Sequence, residues 1–202
     1  GGGGGCEDEV APADAIYVSS SLGNNGAKGT SAEPMASLAA AITKGANKVI
    51  VLERGAYTEG PLQVDPASSI TIRGGYVAVP GGEWRRTCGV PPDETSVSLP
   101  PGTGFESSGQ LSLDALTFTQ RAPQTKTGKS SVGLLVRGGS LKADNVAVIA
   151  AVGESGAAPP AATPGAPGSA QLTQCNKGQD GDSGTDGSQK TPWSISAAGF
   201  AA

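Results

Sequence analysis

Gly109-Gln-Leu-Ser-Leu-Asp-Ala-Leu-Thr-Phe118 returns thirty residues later as Gly139-Ser-Leu-Lys-Ala-Asp-Asn-Val-Ala-Val148. Leu111 meets Leu141, Leu113 meets Ala143, Asp114 meets Asp144, Leu116 meets Val146 and Phe118 meets Val148. Apolar residues alternate up to the Asp, so each unit reads as a strand, a bend at Asp-X and a second strand. Gly and Asp match at positions outside the apolar set, which favours a repeat over two unrelated β-patterned segments. One such unit buries its apolar face only against a neighbouring copy, so the repeat predicts a solenoid with one coil per unit.

The flanking sequence keeps the same period. Val49 and Val51, Leu62 and Val64, Ile70 and Ile72, and Val97 and Leu99 are alternating pairs in short runs bounded by Gly, Pro, Asp or Ser. Ile16-Tyr17-Val18 predicts an earlier strand, followed by a Gly/Asn/Ser-rich loop. Met35, Leu38, Ala39 and Ile42 then fall on one helical face, and with Pro34 ahead and Gly45 behind they predict a helix over 34–44.

Large apolar residues set the domain limits. Of 36 Leu, Ile, Val and Phe residues, 32 lie in residues 1–150, so the core belongs there. Residues 1–15 read as a flexible Gly-rich leader and 16–150 as the β domain. Residues 151–192 read as a Pro/Ala/Gly-rich linker or excursion loop, and 193–202 as a candidate final strand.

Composition removes several functions. The chain has no His, which excludes Ser-His-Asp and Cys-His nucleophile systems and His-based zinc sites. Fourteen basic residues at a net charge of −4 leave no electrostatic footprint for nucleic acid. No apolar run approaches the roughly 18 residues of a transmembrane helix. The first residue is Gly rather than Met, as expected of a processed or excised piece.

Tyr17-Val18-Ser, the Gly/Asn-rich loop, Thr30-Ser-Ala-Glu-Pro34 and the Leu38–Ile42 helix resemble the opening of secreted right-handed parallel β-helix proteins, the pectin-lyase-like group. Val49-Ile-Val-Leu-Glu-Arg-Gly-Ala-Tyr-Thr-Glu59, Ile70-Thr-Ile-Arg-Gly-Gly-Tyr76, Trp84-Arg85 and Leu113-Asp-Ala-Leu-Thr-Phe118 continue the likeness over roughly residues 15–150. The glycine-rich ends and the Gly-Gly-Tyr…Trp-Arg block are most similar to surface proteins of myxobacteria and their relatives. The resemblance implies an all-β, right-handed parallel β-helix with the short helix capping its N-terminal end. About activity it implies little, because that fold carries lyases, adhesins and purely structural proteins.

Candidate sites follow from residue type. Cys6, Cys88 and Cys175 are an odd set. A bridge is expected between Cys88, in a long loop, and Cys175, in a tail with little other anchorage. Cys6 is then unpaired, intermolecular, or a lipid-attachment residue, although the glycines ahead of it form no apolar segment. Asp180, Asp182 and Asp186 space carboxylates as a Ca²⁺ loop does, but Gly184 and Thr191 stand where further ligands would be needed, and a solvated acidic turn has the same pattern. Asp114 and Asp144 would stack in adjacent coils as paired carboxylates, unless they are turn residues capping backbone N–H groups. Arg73, Arg85, Arg86 and Arg137 suit an acidic sugar, and Tyr76 and Trp84 suit either a sugar ring or loop packing. Trp193, Ile195 and Phe200 form a candidate inter-subunit strand.

The expected function is a non-catalytic scaffold, adhesin or fibre subunit, secreted or held at the cell surface, with copies of itself or other surface components as partners. The alternative is a carbohydrate-active or carbohydrate-binding β-helix, with polysaccharide as the partner. No cofactor is expected beyond the candidate Ca²⁺ loop.

Overall fold

A computed structural model describes residues 8–79, 82–123 and 130–153, together with the backbone of 195–196 and 199–200. In chain order the elements are β1 (Glu9–Val10), β2 (Ile16–Val18), α1 (Leu38–Lys44), β3 (Val49–Glu53), β4 (Gly55–Thr58), β5 (Leu62–Val64), β6 (Ser69–Tyr76) and β7 (Arg85–Arg86). A 3-10 turn (Pro92–Glu94) precedes β8 (Thr95–Leu99), β9 (Thr103–Ser107), β10 (Gln110–Gln120), β11 (Val132–Val136) and β12 (Ser140–Ile149), and β13 (Ile195–Ser196) and β14 (Gly199–Phe200) come last. The chain divides into two compact units, Gly1–Pro159 and Pro160–Ala202.

The first unit is all-β with one α-helix, and its main sheet curls into a parallel half-barrel. β2, β3, β6 and β10 follow one another in parallel, and β12 pairs with the outer edge of β10. The far half of β10 (Thr117–Gln120) pairs instead with β8, which pairs with β4, while β5, β9 and β11 form a separate parallel sheet. One strand therefore belongs to two sheet directions. The thirty-residue offset is the register itself: Leu111 pairs with Leu141, Asp114 with Asp144 and Phe118 with Val148.

The bend at Asp-X is present as the repeat predicts. Ala115 and Asn145 follow the two Asp residues with φ of +53° and +52°, which turns each strand from one sheet direction to the next. The earlier turn holds Gly75 at φ +84°, where a Cβ would also lie 2.4 Å from Val90 Cγ1. Only glycine meets both demands there.

The alternation sets the core. Ile16, Val18, Ile50, Leu52, Ile70, Ile72, Leu111 and Leu113 point into the curl with Val97, Leu99, Phe105 and Phe118. Phe105 and Phe118 meet edge to face at 5.4 Å. Burial ends at β12. Leu111 and Phe118 are 2% and 1% exposed, whereas their partners Leu141 and Val148 are 42% and 44% exposed.

α1 seats Leu38, Ala41 and Ile42 in this core, against β2, β3 and β5. It starts at Leu38, not at Pro34 as its spacing predicts. Met35 is held as a bridge beside Val18, its N–H donating to the Tyr17 carbonyl (2.8 Å) and its carbonyl accepting from Ser19 N–H (2.9 Å). Ser37 caps the helix, its Oγ accepting from Ala40 N–H. Leu38 N–H and Ala39 N–H donate to the buried carboxylate of Glu59 at 2.6 and 3.3 Å. Two otherwise orphaned helix donors are thereby satisfied from a distant strand end.

The expectation of a flexible leader over 1–15 is corrected for its described part. Val10 pairs antiparallel with Arg85, Glu9 with Arg86, and Ala11 N–H donates to the Trp84 carbonyl (2.9 Å). The reason is the outward face of the sheet. Tyr17 and Val51 alternate away from the first core, and with Ala11, Ala15, Tyr76 and Trp84 they form a second one beneath this strap. Residues 1–7 lie outside the described residues.

In the second unit β13 and β14 pair antiparallel, Ile195 with Phe200 and Ser196 with Gly199. The single strand expected over 193–202 is thus two short strands folded on each other. A partner three to five residues away costs little closure entropy compared with a distant edge. Trp193 lies outside the described residues.

Candidate functional site

The strap and the bend meet in one ion network. Glu9 on β1 accepts from Arg86 on β7 through Nε (2.8 Å) and Nη2 (2.5 Å), from Arg73 on β6, and from the Tyr76 hydroxyl (3.0 Å). Arg86 also donates to Asp114 at 2.5 Å and lies 5.3 Å from the centre of the Tyr76 ring. One guanidinium therefore joins the strap, the ring beneath it and the bend of β10. Planar, multidonor Arg is suited to this, where Lys would supply a point charge.

The electrostatics follow from that geometry. Burial raises the Glu9 carboxyl, but the Arg86 hydrogen bonds and charge outweigh it, with Tyr76 and Arg73 adding to the effect, so Glu9 sits below the usual carboxylate range. Burial works against the Arg86 charge, and the bonds to Asp114 and Glu9 overcome it, raising its pKa. The Tyr76 phenol, mainly through burial, is pushed up to about 12.

Beside this network lies a cavity of about 440 Å³, bordered by Arg86, Cys88, Asp114, Asp144 and Asn145. Asp144 is exposed and stands one strand beyond Asp114. Asn145 Nδ2 donates to the Val90 carbonyl at 2.7 Å, closing one wall. Stacked carboxylates beside a guanidinium can accept hydrogen bonds from hydroxyl-rich ligands, and Asp114 is already committed to Arg86.

The structure brings some expected residues together and separates others. Asp114 and Asp144 are stacked as predicted, but Asp114 meets a guanidinium where turn chemistry predicts backbone N–H. Arg73 and Arg86 converge on Glu9, whereas Arg85 pairs with Glu83 (2.6 Å) and Arg137 with Glu106 (3.0 Å) elsewhere on the surface. Tyr76 and Trp84 are buried, and Trp84 packs edge to face on Tyr17 at 5.0 Å. Loop packing is therefore their role, not stacking on a sugar.

Cys88 is disulfide-bonded. Cys6, Cys175 and the candidate calcium ligands Asp180, Asp182 and Asp186 lie outside the described residues. Among the described residues no three metal-ligating side chains cluster, and no helix is long and apolar enough to cross a membrane.

Sequence reasoning missed Glu9 and Glu59. Glu9 sits in an acidic, proline-containing run that resembles a solvated leader. Its partners are 64 and 77 residues away, so no local pattern marks it. Glu59 ends an ordinary strand-turn stretch and serves a helix 20 residues earlier.

Comparison of the chain with known protein families, curated proteins and solved structures returns no match.

Proposed function

We propose that the curled parallel sheets are coils of a right-handed parallel β-helix, and that the protein is a secreted or cell-surface structural component acting as a scaffold, adhesin or fibre subunit. Parallel strands joined by crossovers take the right-handed sense almost without exception. The thirty-residue register and the stacked bends at Ala115 and Asn145 support the solenoid reading. The disulfide at Cys88 supports an oxidising compartment.

The observation that carries the structural role is β12. α1 covers the β2 end of the core, but β12 carries Leu141 and Val148 exposed where their partners on β10, Leu111 and Phe118, are buried. An edge of this kind pairs with whatever strand it meets, and a second copy of the chain is the partner this reading takes. Sedimentation over a hundredfold concentration range tests it, with concentration-dependent growth expected. A concentration-independent monomer would overturn self-assembly.

A carbohydrate-binding or carbohydrate-active reading draws on the cavity beside Asp114 and Asp144. Binding or depolymerisation of a polysaccharide that is lost in Asp144→Ala would favour it over the scaffold.

A further inference from the structure

Resting on the reading of β12 as the self-association edge, we propose that two copies of the chain join β12 to β12, antiparallel about a two-fold axis at Leu141. Association then closes at two chains.

The opposite end of the core offers no strand edge to join. On the outer side of β2, Tyr17 N–H donates to the Gly29 carbonyl (2.9 Å) and the Tyr17 carbonyl accepts from Met35 N–H (2.8 Å). Ser19 N–H donates to the Met35 carbonyl (2.9 Å). Those backbone groups are spent, so a second copy cannot add its β12 there head to tail. Among the described residues β12 pairs only with β10. Ser140 N–H donates toward that side, to the Gly109 carbonyl at 3.2 Å. Backbone groups alternate sides along a strand, so those of Leu141 and Ala143 point to the open edge.

An edge that meets its own copy about a two-fold axis normal to the sheet runs antiparallel to it, and the contact is closed. Residues directly opposite share a face, so the axis passes through a residue and not between two. Gly138 at φ +70° and Asn145 at φ +52° bound the extended run, leaving 139–144. An axis at Leu141 overlaps 139–143 with its copy, and one at Lys142 overlaps 140–144. Axes at Ser140 or Ala143 overlap only 139–141 or 142–144. The axis at Lys142 sets two ammonium groups directly opposite each other, which destabilises the pair. The axis at Leu141 sets Lys142 opposite Ser140 of the second copy, a hydroxyl able to accept its hydrogen bond.

Packing favours the same axis. Ile70 pairs with Leu111 and Leu111 with Leu141, so the three form one inward row. Leu111 is 2% exposed and Leu141 42%. The second copy's Leu141 continues this row and covers the side chain that a single chain leaves open, which stabilises the pair by burial.

Sedimentation of the wild type should show growth that saturates at two chains. Leu141→Cys, oxidised and digested with trypsin, should give the 138–142 peptide joined by a disulfide to its own copy, since adjacent antiparallel strands hold Cα atoms at a disulfide's span. Ser140 is exposed and points to the outer face, opposite the partner's Lys142. Ser140→Asp should therefore tighten the pair and Ser140→Lys weaken it, each by about threefold or more. The reverse order would place the axis at Lys142, where Ser140 faces Asp144, and would overturn the proposed one. Growth past two chains, or absence of the 138–142 self-link, would overturn it too while leaving self-association standing. A wild type that stays monomeric at every concentration would overturn both.

Discussion

Ala115 and Asn145 stand one strand apart at the same turn, and both hold the left-handed backbone conformation. Asn tolerates that conformation because its short amide bonds locally, and here it also donates to Val90. Asn145→Val places a β-branched residue at positive φ and removes that bond. It should cost more than about 2 kcal/mol by urea denaturation, with Asn145→Gly losing about 1 kcal/mol. Equal effects of the two variants would show that the backbone conformation is not what Asn145 supplies.

Gly75 is the harder case, since its left-handed φ coincides with Val90 Cγ1 at the place a Cβ would take. Gly75→Ala should destabilise by about 2–3 kcal/mol or more, combining backbone strain with overpacking. The double variant Gly75→Ala, Val90→Ala should recover part of that loss. Failure to recover any would assign the cost to backbone conformation alone.

Glu9 makes the strap acid-labile. Its folded pKa is below the ordinary carboxylate value, so its stabilising contribution is present above about pH 4.5 and is lost as pH falls through the folded value. Urea midpoints measured from pH 6 to pH 3 should fall more steeply for the wild type than for Glu9→Gln. Parallel curves would place the acid sensitivity elsewhere.

Glu59 has the opposite linkage. Burial raises its pKa against the two backbone N–H bonds it accepts, so its favourable contribution is present below about pH 4.5 and is lost as pH rises through the folded value. The wild type should therefore lose stability relative to Glu59→Gln as pH rises through that window. Glu59→Ala, which leaves Leu38 N–H and Ala39 N–H without their acceptor, should cost about 0.5–2 kcal/mol, as helix-cap removals do. Unchanged stability would mean that another group caps the helix.

The two sides of the β10–β12 ladder should respond very differently to substitution. Phe118→Ala opens a cavity in the core and should cost about 3–5 kcal/mol. Val148→Lys on the exposed partner position should cost less than about 1 kcal/mol and weaken any self-association seen by sedimentation. A large stability loss in dilute, monomeric Val148→Lys would show that β12 is already covered.

The repeat at Gly109 and Gly139 made the parallel pairing legible because a residue offset and a strand register are the same quantity once two units stack. The helix was legible in its buried face, since Leu38 and Ile42 keep helical spacing, but not in its start, where Met35 spends its backbone groups on Tyr17 and Ser19. The stacking of Asp114 and Asp144 could likewise be read from the repeat. Their environment could not, because the Arg86 that engages Asp114 arrives from a separate strand, β7.

By itself, then, the sequence determined the β period, the thirty-residue register, the bend after each Asp and the helix that closes one end of the core. Those are local or repeated patterns, carried by side-chain spacing along a few residues. Only the tertiary structure decided that residues 8–15 are a strap, that Glu9, Arg73, Arg86 and Asp114 form one network, and that Glu59 caps α1. Each of those contacts joins groups 20 to 77 residues apart, the strap and its network on the outer face of a sheet and Glu59 at the helix start, where hydrogen-bond and charge complementarity, and no periodicity, choose the partner.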